Sequence, residues 1–268
     1  MSTILDKIVE TKRAEVADAK SRRPHAELQA AVRDTPDARD FYGTIAAPPK
    51  HGIHLIAEIK KKSPSAGLIR PDFDPTTIAQ TYHASGASCI SVLTDKPYFA
   101  GQLEYIEQVK SAVPLPVLRK DFIIDAYQLY QSRAAGADCV LLIGEVLPPS
   151  ILSELLDLAY ELGMTSLIEV HEPQTLADLQ TAIGFPNNKR SLLGINNRNL
   201  KIQQTDLTTT ETLATQIGEG TLLVSESGIQ TREDVKRLIK ANARALLIGE
   251  TFMKSPDIGA KIKELLGA

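Results

Sequence analysis

The run His54-Leu55-Ile56-Ala57-Glu58-Ile59-Lys60 sets a carboxylate and an ammonium two residues apart in an otherwise aliphatic stretch. In a β-strand alternate residues share a face, so Glu58 and Lys60 point one way and Leu55, Ala57 and Ile59 the other. The apolar set suits an outside covered by helices, which turns both charges inward. Opposite charges in an interior are expensive unless they are paired or used. The same alternation puts Lys120 at the end of a run on the face of Leu118, Glu169 on that of Leu167, Asn196 on that of Gly194, and Glu226 on that of Val224. One such residue could belong to the surface, but charged and amide groups converging on one space in this way mark a functional site. Ser225-Glu226-Ser227-Gly228-Ile229 and Leu247-Ile248-Gly249-Glu250 add glycines where backbone must approach something closely, and backbone N–H groups at such places bind phosphate. A long segment from Lys60 to Pro71 carries Ser63, Ser65 and Gly67, hydrogen-bonding groups in a loop able to cover a ligand; Lys61 and Lys62 read as a solvated face. The histidines at 25, 51, 54, 83 and 171 have no metal spacing, and no serine or cysteine nucleophile has a partner.

These groups need a scaffold. The chain has 268 residues, 43% apolar, with no tryptophan, so its core must be aliphatic. Its formal charge of −3 gives no global field for nucleic acid or anionic lipid, and any anion must be bound locally. Cys89 and Cys139 sit in apolar runs without CxxC spacing and read as reduced thiols. The charged N-terminus and the lack of any long apolar window predict a soluble, cytoplasmic protein. From Ile4 to about Ala31 apolar residues recur at helical spacing, after which Pro36, Pro48, Pro49 and Gly52 stop regular structure; residues 1–51 read as an N-terminal helical extension and 52–268 as the main unit. There, eight near-continuous aliphatic runs are predicted as strands: His54–Lys60, Cys89–Thr94, Leu115–Lys120, Asp138–Ile143, Thr165–Val170, Leu192–Asn196, Thr221–Ser225 and Ala245–Gly249. Helical stretches such as Pro75–Ser85, Ile151–Leu162 and Arg232–Lys240 lie between them. Eight βα units predict an α/β fold, a single (β/α)8 TIM barrel, whose chemistry gathers at the C-terminal ends of the strands. The competing doubly wound sheet would carry a GxGxxG turn after its first strand, and none is present. The pentapeptide Leu-Leu-Ile-Gly-Glu occurs at 141–145 and 246–250, which suits a barrel of two similar halves.

Five segments resemble the indole-3-glycerol phosphate synthase family: Ile56 to Ser65, Leu118-Arg119-Lys120-Asp121-Phe122-Ile123, Leu167-Ile168-Glu169-Val170, Gly194-Ile195-Asn196-Asn197-Arg198-Asn199-Leu200, and Ser225 to Ile229. The likeness runs along essentially the whole chain. It implies an enzyme of tryptophan biosynthesis that closes an indole ring on a small phosphorylated substrate, with loss of CO2 and water and without cofactor or metal. By the same matching Lys120 is the general acid and Glu169 the second acid/base. Lys60 steers the substrate carboxylate, and Glu58 positions and tunes Lys60 and Lys120. The substrate-binding set is Ser63, Asn196, Arg198, Glu226 and Ser227, with Phe99 and Phe122 against the aromatic ring. Ser227, Gly228, Gly249 and Glu250 face the phosphate. Glu250 stands where some relatives place serine; a carboxylate would repel phosphate, so its side chain is expected to turn away and leave only the backbone N–H. Glu145 departs from the apolar or basic residue associated with its position. The resemblance assigns no nucleic-acid or membrane partner and is silent on association with other tryptophan-pathway enzymes. From the residues alone, a sugar-phosphate isomerase and a non-catalytic sugar-phosphate-binding barrel stay open as alternatives.

Overall fold

A computed structural model describes residues 3–187, 190–199 and 204–267; Leu200, at the end of one of the matched segments, lies outside them. Eight parallel strands close a barrel: β1 (His54–Ile59), β2 (Cys89–Leu93), β3 (Val117–Lys120), β4 (Cys139–Ile143), β5 (Thr165–Val170), β6 (Ser191–Asn196), β7 (Leu223–Glu226) and β8 (Ala245–Ile248). β8 pairs back to β1 in the register Ile56↔Leu247. Every strand expected from the sequence is present, with ends shifted by no more than two residues.

The alternation that made the charges conspicuous also builds the two cores. Leu55, Ala57, Ile90, Val92, Val140, Leu142, Ile168, Leu193 and Leu246 face the surrounding helices. Ile56, Cys89, Leu118, Cys139, Leu141, Leu167, Leu192, Val224 and Leu247 fill the interior. Among the described residues, side-chain packing closes the inside of the barrel and leaves its mouth open to a ligand. The two Leu-Leu-Ile-Gly-Glu segments fall out of phase: Leu141 and Ile143 point inward in the first, Leu247 in the second. A one-residue offset exchanges the faces of a strand, so the match does not mark equivalent halves.

The N-terminal segment departs from the expected single helix followed by irregular chain. Helix α1 (Ile4–Arg22) starts at a capping box, Thr3 accepting from the Asp6 N–H and Asp6 accepting from the Thr3 N–H. It ends because Pro24 disfavours helical geometry at Arg23, which is extended. Helix α2 (His25–Asp34) follows directly. In the stretch expected to be irregular, α3 (Phe41–Ala46) forms, its first turn capped by the Asp40 carboxylate on the Gly43 N–H. Phe41 and Ile45 are fully buried against the interior layer; burial of each contributes roughly 1.5–3 kcal/mol. Arg244, which precedes β8, donates to the carbonyls of Ile45 (3.0 Å), Ala46 (2.7 Å) and Ala47 (2.5 Å), and the His54 ring bonds the Ala47 carbonyl. These contacts fix α3 across the N-terminal end of the barrel. Leu5 and Ile8 of α1, by contrast, reach Phe99 and Phe122 beyond the C-terminal ends of the strands. The extension therefore stoppers one end and overhangs the other. Among the described residues no helix is long and apolar enough to cross a membrane.

Candidate active site

The C-terminal mouth holds a cleft open to solvent on one side, with polar and apolar groups converging on it, the kind of place where small-molecule sites form. Its wall includes Glu58, Lys60, Lys120, Glu169, Asn196 and Glu226, the inward-pointing set expected from strand alternation. Their burial explains why they pair. Lys60 Nζ lies 2.6 Å from Glu58 Oε1. Lys120 Nζ lies 2.9 Å from Glu169 Oε2 and 3.1 Å from Glu226 Oε2. Asn196 donates through Nδ2 to the other oxygen of Glu169 at 3.1 Å, which fixes that carboxylate's plane.

Three carboxyls and two ammoniums in one buried group leave one negative charge too many, and the excess is relieved by protonation. Burial pushes Glu226 up, and the like charge of Glu169 adds to it; the Lys120 ammonium opposes them, and the result is a group pushed up to about 8. For Glu169 burial acts in the same upward direction but the Lys120 ion pair and the Asn196 donor outweigh it, so its carboxyl sits below the usual range. Burial pulls Lys120 down, yet Glu169, Glu226 and Glu58 together hold it above the ordinary lysine value. At neutral pH the cluster is thus a charged lysine, an ionised Glu169 and a neutral Glu226.

Two glycines make room for these carboxylates. A Cβ on Gly194 would stand 2.5 Å from Glu226 Oε1, and one on Gly249 would stand 2.3 Å from Glu58 Oε1 and 2.9 Å from Glu58 Cβ. Gly249, expected beside a phosphate, is required first by Glu58. Gly249→Ala should displace Glu58 from Lys60 and lower kcat/KM about 10-fold, since small misplacements at a reacting centre are costly. Inhibition by inorganic phosphate, measured as Ki, should stay within about twofold, because every backbone N–H is retained.

Ser227 and Gly228 form the turn after β7 with φ of 68° and 78°. For Ser227 this left-handed conformation is uncommon and strained, a feature of ligand-binding turns. Asn197 holds it in place, donating to Ser225 Oγ, the Glu226 carbonyl and the Ser227 carbonyl, while its own oxygen accepts from Thr210. The sequence reading did not single out Asn197, although a second amide directly after Asn196 was a signal.

Other expected residues are placed differently. Ser63 is buried but does not line the cavity; its hydroxyl accepts from the Ala66 N–H and braces its own loop. Glu250 does not turn away. It lies at the mouth, 2.9 Å from Arg198 Nη2 and 2.7 Å from Lys254 Nζ. Half-burial raises its carboxyl, but the two cations outweigh that and hold it down at about 2. Arg198 also donates to Ser65 Oγ at 3.0 Å, so it spans the mouth between the first and last loops of the barrel. Glu145 stands outside the cavity wall, where its carboxylate accepts from the N–H groups of His171 (2.7 Å) and Glu172 (3.1 Å) and braces the turn after β5.

Phe99 and Phe122 face each other with ring centroids 6.2 Å apart. Beside them a smaller apolar recess is completed by Ile4, Leu5 and Ile8 of α1. Helical spacing of apolar residues from Ile4 onward marks an amphipathic helix but does not show that it walls this recess.

An interior sealed by packing and a mouth crowded with paired lysines and carboxylates place the molecule among the (β/α)8-barrel enzymes. Solved structures agree on the fold: 3-hexulose-6-phosphate synthase from Salmonella typhimurium superposes with a TM-score of 0.63 over 80% of this chain and 97% of its own, at 14% identity. Thiamine phosphate pyrophosphorylase from Pyrococcus furiosus gives 0.57 over 80% and 94%, at 12% identity. Sequence comparison is sharper, and by it the chain belongs to the indole-3-glycerol phosphate synthase family, whose profile matches residues 5–265. The synthase of Rhodopirellula baltica is 50% identical over 266 residues, 99% of this chain and 100% of the relative. That of Rhodospirillum rubrum is 47% identical over 268 residues, the full length of both.

Proposed function

We propose that this chain converts 1-(2-carboxyphenylamino)-1-deoxy-D-ribulose 5-phosphate into indole-3-glycerol phosphate, CO2 and water, acting as a carboxy-lyase. The observation that carries the reading is the Lys120 ammonium held between Glu169 and Glu226 next to an apolar recess walled by phenylalanines. The ring carbon bearing the carboxylate must attack the ribulose carbonyl. As that bond forms, the carbonyl oxygen gains charge and takes a proton, and Lys120 supplies it. Lys60, steered by Glu58, holds the substrate carboxylate until the bond to CO2 breaks and its electrons return to the ring. The hydroxyl then leaves as water, protonated by an acid of the cluster, and Glu169, ionised and anchored by Asn196, takes the ring-system proton that restores aromaticity.

Phe99, Phe122, Leu5 and Ile8 suit the aromatic ring, which in a protein without tryptophan must be gripped by phenylalanine and aliphatic side chains. Asn196 and Arg198 bind the polar chain of the substrate. Backbone N–H groups of Ser227, Gly228, Gly249 and Glu250 receive the phosphate, with Arg198 drawn from Glu250 as the anion enters. On this reading residues 1–51 are an extension and 52–268 the barrel, but the site draws on both. The test is direct: add the aminodeoxyribulose phosphate to the folded protein and follow indole fluorescence, against which the chain, lacking tryptophan, contributes no emission of that type. Steady growth of the signal is expected; its absence overturns the assignment.

A further inference from the structure

We propose that Lys12 of α1 is a positioning residue for this reaction, a buried ammonium that clamps the loops after β2 and β3 and so sets where Phe99 and Lys120 stand. A lysine on a surface helix normally keeps its ammonium in water. Lys12 is only 4% exposed. Its Nζ lies 2.9 Å from Asp95 Oδ2, 3.0 Å from Asp121 Oδ1 and 2.7 Å from Glu15 Oε2. Neither aspartate is a bystander.

Asp95 opens the short helix that carries Phe99: its Oδ1 accepts from the Tyr98 N–H, and its carbonyl accepts from the Gly101 N–H. Its Oδ2 is buried without another donor, so the Lys12 ammonium is what compensates it. Asp121 sits between Lys120 and Phe122. One oxygen accepts from the Phe122 N–H; the other takes Thr94 Oγ1 at 2.6 Å and Arg119 Nη2 at 2.9 Å. Thr94 belongs to the same loop as Asp95, so the two loops are tied through one carboxylate as well as through Lys12. Thr11, next to Lys12, adds a 2.9 Å hydroxyl contact to Tyr98. Burial raises Asp121, but Arg119 and Lys12 outweigh it and hold the carboxyl well below its usual range, consistent with two cations on one group. Asp121 would keep Arg119, Thr94 and Phe122 if Lys12 were lost, whereas Asp95 Oδ2 would keep nothing. The larger consequence therefore falls on Phe99 and on substrate binding.

The kinetic part rests on the activity proposed above, and the test separates the two. In Lys12→Met, amide hydrogen exchange at residues 98–101 should accelerate at least about 10-fold while β5 and β6 amides are unchanged. KM should rise about 10-fold and kcat fall about threefold. Lys12→Met/Asp95→Asn leaves no uncompensated buried charge and retains the helix cap. It should recover the thermal midpoint but keep the raised KM, and it carries both measurements if the single variant does not fold. Unchanged exchange at 98–101, a KM within twofold of wild type, or a KM that recovers together with the midpoint overturns the proposal. A wild-type protein without turnover overturns the activity instead, and the exchange experiment then still judges the clamp.

Discussion

Lys120→Ala should lower kcat on the order of 100-fold or more at saturating substrate, with the far-ultraviolet circular dichroism of a folded barrel retained. The ammonium is surrounded by Glu169 and Glu226 at hydrogen-bonding distance and feels Glu58 as well. Those carboxylates keep it protonated across the neutral range, so the acid is loaded in every resting enzyme molecule. A lysine so held gives up its proton only to an oxygen that is becoming strongly basic, which is the state of the ribulose oxygen as the carbon–carbon bond closes. Before full transfer, the same positive charge stabilises the growing oxyanion in a site that excludes most water. Alanine removes both effects. It also leaves Glu169 and Glu226 without their shared cation, but Glu226 is already neutral near pH 7, so the variant does not bury two unpaired negative charges. Loss of activity should therefore exceed loss of stability. A kcat within about 10-fold of wild type would remove Lys120 from the role of acid.

How much of this was legible depended on whether a residue's role follows from its own strand. Glu58, Lys120, Glu169, Asn196 and Glu226 stood out because a charged or amide group on the inward face of an aliphatic run has few structural explanations. The barrel followed from the same runs. What could not be read was contact between segments distant along the chain. Lys12 looks like any lysine on an amphipathic helix; only folding brings Asp95 and Asp121 against it. Gly194 read as an ordinary small residue and Gly249 as a phosphate contact, since the carboxylates that occupy their missing side chains arrive from neighbouring strands. The break at Pro24 was visible in the sequence but was outweighed there by helical spacing on both sides. Helix α3 was hidden by prolines on its flanks, although Asp40 before Phe41 and Ile45 is a cap signal followed by an apolar pair at i, i+4 spacing. Glu250 was misjudged because its partners, Arg198 and Lys254, convert a repulsive carboxylate into half of an ion pair.

Glu169→Gln should also cost on the order of 100-fold in kcat, with KM changed much less, because the amide keeps the shape of the side chain but cannot take a proton. The wild-type base is held below the ordinary carboxylate value of 4.5, so it remains ionised down to more acid pH than a free glutamate, and its acid limb should lie below that value. A second signature comes from Glu226. Its raised value, about 8, is owed first to burial; the Lys120 ammonium opposes that, and the negative charge of Glu169 pushes upward with it. Removing that charge while leaving Lys120 in place must lower it. In the wild type the neutral form of Glu226 gives a stability contribution that is complete below the unfolded value of 4.5 and is lost as pH rises through about 8. Ionisation there also puts a further negative charge beside an anionic substrate, so kcat/KM should decline above that pH. In Glu169→Gln both the decline in thermal midpoint and the alkaline limb of kcat/KM should move to lower pH. If kcat falls but neither limb moves, Glu169 and Glu226 do not share the field of Lys120; if kcat is unchanged, the proton is taken by another group.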